Sequence, residues 1–375
     1  MEPAWRTWVE ISRSQIAANY RAVRQAVGSE IEIAAVVKAD AYGHGAVEVA
    51  RVLAGEGARW LAVSSAEEGV ALRQAGLETR ILVMADSFPY SRPALVEYRL
   101  TPVVHSLDEL RDLDEWAGAR RLELPYHLKL DTGMGRLGVR EGAAEIAAAV
   151  RAARRLRLEG LMTHFASAAD FAGPQTDEQI RAFRELLEQL AQAGIRPPYR
   201  HAASTHSIAY ARRDCWHNMV RPGHALYGYV SPARGPAPAS ILRVAPALSW
   251  KARILAIKNV PEGALIGYGG MFRAPRPMRI AVLAVGYADG LPHRLSNRGQ
   301  VIAAGRLVPI LGAVSMDLTT IDLSPCPELR PGDAVTLLGR EGEAALDARQ
   351  MARLAGTISY DVLCGIRARV KRLYL

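Results

Sequence analysis

The sequence predicts an α/β protein: an N-terminal (β/α)8 TIM-like barrel followed by a mostly β C-terminal domain. Three observations predict it. Between Ile31 and about Gly228, short apolar runs alternate with amphipathic helical patterns. After the proline- and glycine-rich stretch "SPARGPAPAS" at 231–240 the strand patterns follow one another with a single helical interruption. The chain's 375 residues exceed one ordinary compact domain but suit a barrel of about 250 residues with a smaller partner.

The barrel strands are expected at "IEIAAVVK", "WLAVSS", "RILVMA", "TPVVHS", "PYHLKLD", "RLEGLMTHF", "YRHAAS" and "NMVRP". Segments such as "AEEGVALRQAG" and "DEQIRAFRELLEQLAQAG" lie between most of them, apolar every three or four residues and closed by glycine. An open doubly wound sheet is the competing arrangement. Beyond the linker, "LSWKARILAIKNV", "MRIAVLAVGYAD", "QVIAAGRLVPILG", "TTIDLS" and "DAVTLLG" read as strands, and only "ALDARQMARLAG" reads as a helix. The expected domains are 1–238 and 239–375. The first strand, about residues 1–12, is a candidate to pack with the second.

Composition bounds the function. With 50% hydrophobic and 23% charged residues the chain reads as soluble and globular. The net charge of +9 is spread along helices beside acids, as in "EGAAEIAAAVRAARRLRLEG", with no basic run interleaved with aromatics; nucleic acid is not an expected partner. No apolar stretch approaches a membrane span, and Glu2, Arg6, Glu10 and Arg13 stand where a signal peptide needs its apolar core. Cys215, Cys326 and Cys364 lack disulfide or zinc spacing. A cytoplasmic location without a metal site is expected.

Lys38 ends the first barrel strand and is followed by the turn of Tyr42, Gly43, His44 and Gly45. At the C-terminal mouth of a barrel, a partly desolvated lysine becomes a nucleophilic amine able to form Schiff bases with carbonyl compounds, pyridoxal phosphate among them. Taken alone, such a lysine more often snorkels to solvent. In context, "VVKADAYGHG" resembles the cofactor-attachment site of the alanine racemase family, the fold-type III pyridoxal-phosphate enzymes. Further matches follow in that family's order: "KLDTGMGRLG" at 129–138, "MTHF" at 162–165, "MVRPGHALYG" at 219–228, "IGYGG" at 266–270, "SMD" at 315–317 and "TISYDVLCGI" at 357–366.

The resemblance implies a pyridoxal 5'-phosphate racemase of L- and D-alanine with two bases, Lys38 and Tyr268, on opposite faces of the substrate. It implies that Arg136 meets the cofactor's phenolic oxygen and the substrate carboxylate, with Lys129 carbamylated in some members. His164 and Arg221 would form the network behind Tyr268, Arg221 also facing the pyridine nitrogen. The phosphate would rest on Tyr42, Ser204 or Thr205, the backbone at Gly223 and His224, and Tyr360. Met316, Tyr268 and Tyr360 would line the substrate entrance. A head-to-tail homodimer is implied, each site joining one barrel to the other subunit's β domain, and so is a role in supplying D-alanine for peptidoglycan.

"GMGRLG" also matches the dinucleotide fingerprint G-x-G-x-x-G, which makes a nicotinamide-dependent oxidoreductase a rival. Against it, four barrel-like strands precede the motif and Glu159 begins a strand where a ribose ligand should end one. Other rivals are a racemase of broader specificity, a fold-type III decarboxylase and a non-catalytic cofactor-binding protein. The match frays at the entry corridor, where Ala169, His293 and Ala313 stand at the family's charged positions, with Asp170 and Arg294 one residue away.

Overall fold

The computed structural model describes residues 4–375. They divide into two compact units, one of Ile16–Ala41 and Ala46–Ala245, the other of the chain up to Gln15, Tyr42–Gly45 and Pro246–Leu375. Strand β1 (Thr7–Ile11) belongs to the latter. The former contains eight parallel strands: β2 (Glu32–Val36), β3 (Trp60–Val63), β4 (Arg80–Val83), β5 (Leu100–Val104), β6 (Leu124–Lys129), β7 (Leu156–Met162), β8 (Tyr199–His201) and β9 (Met219–Val220).

Their spatial order is β8-β7-β6-β5-β4-β3-β2-β9. The remaining gap is bridged by Ser204 opposite Arg221, with the Arg221 N–H on the Ala203 carbonyl at 2.9 Å. This is a nearly closed barrel, and the open-sheet alternative is excluded. All eight expected strands are present. The last two are shorter than their apolar runs suggest, because the chain leaves the sheet where Ser204 and Arg221 turn into loops. Valine, isoleucine, leucine and alanine fill both faces of β3 and β4 almost completely, as expected for parallel strands covered by helices.

Two helices fix the C-terminal ends of these strands by the same device. Ser65 and Ser106 cap the helices Ala66–Gln74 and Leu107–Ala119, accepting the N–H of Glu68 and Glu109. Each glutamate then reaches back beyond its cap. Glu68 accepts the N–H of Ser64 (2.7 Å) and of Ala39 (2.6 Å), and Glu109 accepts the N–H of His105 (2.6 Å) and the hydroxyl of Ser87. The S-x-x-E signature of a helix start thus also ties neighbouring strand ends together at the barrel mouth.

In the other unit, β1 lies between β10 (Leu248–Val260), antiparallel to it, and β19 (Lys371–Tyr374), parallel to it. The sheet continues from β10 through β13 (Met278–Leu283), β16 (Thr319–Asp322), β15 (Arg306–Leu311), β14 (Gln300–Ala303) and β17 (Ala334–Glu341) to β18 (Ala344–Leu346), and β17 pairs back on β10. A separate hairpin of β11 (Leu265–Ile266) and β12 (Phe272–Arg273) carries the "IGYGG" turn. The helix Ala348–Ala355 has the expected place, capped by Asp347 and ended by left-handed Gly356. A second helix, Ser359–Cys364, corrects the reading of one helix; six residues are too few to show a 3.6-residue period.

Candidate active site

Strand β2 stops at Val36, and Lys38 opens a turn in which Ala39, Asp40, Ala41 and Tyr42 all have φ between 52° and 54°. Left-handed backbone costs an L-residue about 1–2 kcal/mol, so four in succession persist only if their surroundings hold them. The Ala39 N–H is held by Glu68, the Asp40 carboxylate accepts the Ala46 N–H at 2.7 Å, and Ala41 and Tyr42 are buried. The reversal presents Lys38 at the C-terminal end of β2.

Lys129 ends β6, where its carbonyl accepts the Val139 N–H at 2.8 Å. Between these residues Asp131 organises the glycine-rich loop. Its carboxylate accepts the N–H groups of Gly133, Met134 and Gly135 at 2.9–3.2 Å and Arg140 Nε at 2.8 Å. Burial pushes this carboxyl up, but the Gly135 N–H, Arg140 and the other loop amides prevail and hold it at about 2. Gly138 closes the loop at φ +123°, where a Cβ would lie 2.8 Å from the Asp131 nitrogen. The loop follows the fifth strand of a barrel and is tied to its own Asp131, so it does not open a nucleotide-binding unit.

Arg221 is buried and its guanidinium is fully directed. One terminal nitrogen donates to His201 Nδ1 (2.7 Å) and the His201 carbonyl (2.9 Å). The other donates to the Thr163 carbonyl (2.6 Å), the Ala202 carbonyl (3.2 Å) and His164 Nδ1 (3.4 Å). A guanidinium has no acceptor, so both histidines accept at Nδ1 and carry their proton on Nε2. His201 Nε2 then donates to His127 Nδ1 at 2.8 Å. Burial, and next Arg221, lower His164 to about 3; burial lowers Arg221 itself only to about 10. At neutral pH the imidazole is uncharged and the guanidinium is a cation.

Burial lowers Lys129 to about 8, with Arg136, Arg221 and Lys38 acting in the same direction and Asp131 against them. His164 responds to the same four cations. Lys38, Lys129, Arg136, Arg221 and His164 therefore lie within one another's electrostatic reach, and Asp131, an acid that acts on Lys129, is already engaged by its own loop. Beside the cluster, the Thr205 hydroxyl oxygen accepts the N–H of Gly223 (3.1 Å) and Ala225 (3.2 Å), which leaves its own proton to donate. A surplus of cations with a free hydroxyl donor suits an anionic cofactor, so the residues present fit pyridoxal 5'-phosphate.

One expectation changes: the Gly223 N–H is taken by Thr205 and is not open to a phosphate. The His224 ring stacks on Tyr229 at 5.1 Å, which leaves the backbone contact expected of His224 as it was. Ser204, half-buried, forms the strand bridge to Arg221, which favours Thr205 as the hydroxyl donor. Asp170 pairs with Arg234 at 3.4 Å.

In the other unit, Tyr42 and Tyr360 lie ring to ring at 5.9 Å. Tyr268 is 77% exposed in its hairpin turn and Met316 is 55% exposed. The Met316 turn is held by a neighbour that its motif does not reveal: the Tyr287 and Ala288 N–H groups donate to the Ser315 and Met316 carbonyls at 3.0 and 2.9 Å. His293 packs against the Tyr287 ring. Sequence reasoning also missed Glu68, Asp131, His127 and His201. The "DTGMG", "PYHLKLD" and "YRHAAS" segments carry the last three, but nothing local marks Asp131 as the acceptor of its loop or the two histidines as the line behind Arg221. A separate cavity of about 450 Å³ opens among Arg73, Arg80, Arg99 and Leu124, near the N-terminal ends of β4–β6, and none of the candidate residues lines it.

Comparison with known proteins matches both parts of the chain to one family. Residues 11–232 match the family described as alanine racemase, N-terminal domain, and residues 247–374 match alanine racemase, C-terminal domain. The alanine racemase of Halothermothrix orenii is 41% identical over 98% of this chain and 96% of its own length. Among solved structures, the alanine racemase of Bacillus anthracis with bound L-Ala-P is 35% identical with a TM-score of 0.90, covering 100% of this chain and 96% of that one. The alanine racemase of Bartonella henselae, with covalently bound pyridoxal phosphate, is 27% identical with a TM-score of 0.88 over 100% of both chains.

Proposed function

The chain belongs to the alanine racemase family, and from that premise we propose that it interconverts L- and D-alanine with pyridoxal 5'-phosphate held at Lys38. The observation that carries this reading is the basic cluster of Lys38, Lys129, Arg136, Arg221 and His164. When bound, the cofactor supplies an electron sink for the charge that develops at the substrate α-carbon.

The chain's own residues do the rest. Lys38 Nζ holds or takes the α-proton on one face, and Tyr268 Oη serves the other face. His164 and Arg221 form the network that would support Tyr268 in that role. Arg136 grips the substrate carboxylate. Arg221, which keeps its proton, would be the residue beside the pyridine nitrogen and would leave it unprotonated, a weaker sink that would disfavour transamination. Thr205, Tyr42 and Tyr360 would hold the phosphate, and Met316 with Tyr268 would narrow the entrance to a methyl-sized side chain.

Tyr268 and Met316 stand exposed, together with Leu265, Met271 and Ile358 of the same unit. That apolar surface supports a head-to-tail homodimer in which a second copy supplies Tyr268 to the Lys38 site. Three cysteines without disulfides support a cytoplasmic enzyme that supplies D-alanine for peptidoglycan, and no described helix is long and apolar enough to cross a membrane. The small Ala169 and Ala313 favour a less charged entry corridor.

The test is chiral chromatography of a panel of L-amino acids incubated with the protein, with and without pyridoxal phosphate. D-alanine alone is the expected product. Several D-products would shift the reading to broader specificity, and none, with cofactor bound, would overturn it.

A further inference from the structure

Lys129 has a neighbour that neither its motif nor the reaction above uses. Strands β5 and β6 pair in parallel with Val103 beside His127 and Val104 beside Leu128. One step further along both strands sets His105 beside Lys129. Side chains alternate along a strand, and paired neighbours share a face. His105 therefore lies on the face of His127 and Lys129, one layer above His127 and level with the basic cluster. Its main chain is fixed there by Glu109, which accepts the His105 N–H at 2.6 Å.

Both ring nitrogens of His105 are buried and have no hydrogen-bond partner among the described residues. A buried imidazole without partners loses the hydrogen bonds water would give it. Burial and then the Lys129 charge lower it to about 4, the Met84 carbonyl acting in the opposite direction, so the ring is neutral. Its neighbour Lys129 is an amine lowered to about 8 among Arg136, Arg221 and Lys38. A neutral imidazole that faces the Met84 carbonyl on one side and still has a ring nitrogen open thus stands beside an amine that loses its proton easily, in a place short of negative charge.

We propose that His105 is the positioning residue of a modification site at Lys129: it accepts the proton released when Lys129 is carbamylated and then holds the carbamate by a hydrogen bond. The inference rests on reading Lys129 as a carbamylation site. The Lys129 Nζ lone pair forms the N–C bond to dissolved carbon dioxide, and one C=O pair moves onto oxygen. The displaced N–H proton passes to the open ring nitrogen of His105. The products are a Lys129 carbamate and a His105 imidazolium hydrogen-bonded to it. The exchange sets a negative charge beside Arg136 where the neutral amine had none, and gives the buried ring its partner.

The test is 13C NMR of the holoprotein equilibrated with 13C-labelled bicarbonate, with Lys129→Arg as the unlabelled control and circular dichroism as the check on folding. Wild type is expected to show one protein-bound carbamate resonance. His105→Phe, which keeps the ring volume without nitrogens, is expected to lower its occupancy about tenfold, the scale of one hydrogen bond to a charged group. His105→Gln, which keeps a donor, is expected to restore most of the occupancy and not the labelling rate. If His105→Phe fails to fold, the His105→Gln labelling rate decides: a rate equal to wild type overturns the role of His105. Undiminished occupancy in folded His105→Phe overturns that role and leaves Lys129 modification standing. No resonance in wild type overturns both.

Discussion

Glu68 accepts the backbone N–H of Ala39 at 2.6 Å, one residue beyond Lys38. Through this contact a helix following β3 holds the left-handed turn that sets the direction of the lysine on β2. A carboxylate–amide hydrogen bond of this kind is worth about 1.5–3 kcal/mol. Glu68→Gln keeps one acceptor oxygen where Glu68 uses two, for Ala39 and Ser64. Urea denaturation should show a loss of about 1–2 kcal/mol, and dialysis should show faster cofactor loss than from wild type.

Arg221→Lys keeps the charge and loses the fork that reaches His201, His164 and three carbonyls at once. The expected result is a fall in kcat of about tenfold to a hundredfold, the equivalent of one or two lost charge-assisted bonds. A shifted cofactor absorbance should accompany it. Steady-state kinetics with an absorption spectrum checks both; unchanged kcat would show that the fork is dispensable.

Buried histidines set the acid limit. Burial, as the leading cause, holds His127 and His164 at about 3 and His105 and His217 at about 4, below the ordinary 6.5. As pH falls through 6.5 the unfolded chain binds protons that the folded chain refuses, so stability is lost on acidification down to the folded values. Each such group contributes a slope of up to about 1.4 kcal/mol per pH unit. Urea midpoints measured from pH 7.5 to 4 should fall steeply. Lys129, lowered to about 8 from 10.5, acts at the other end: stability should rise with pH between those values, and Lys129→Met should flatten that rise.

Gly160 lies in β7 where a Cβ would come within 2.4 Å of His127 Nδ1, the atom that receives the His201 proton. Gly160→Ala should cost about 1–3 kcal/mol as an overpacked core position. It should also displace His127, visible as a changed imidazole signal in NMR. A neutral substitution would mean that β7 moves away more easily than its buried neighbours suggest.

The barrel was legible because parallel strands buried on both faces leave long apolar runs, and because the turns between them keep glycine. The candidate residues were legible as motifs, in order along the chain. What the motifs could not carry is contact across the fold. His201 reads as one residue of a short strand, and only closure of the barrel sets it against Arg221. The Gly223 amide looked open until Thr205, eighteen residues earlier, met it. The left-handed turn at Ala39–Tyr42 has no glycine of its own to announce it, since the strain is borne by partners on another helix.

The line from Arg221 through His201 to His127 has a direction. Each imidazole accepts at Nδ1 and donates at Nε2, and the last Nε2, on His127, is buried with no hydrogen-bond partner among the described residues. Such a line is a dead end for protons. It can polarise, strengthening the hold on Arg221 as charge develops at the mouth, but it delivers no proton to the barrel floor and draws none from it. Hydrogen isotopes from solvent should therefore not reach this chemistry along the line of His201 and His127.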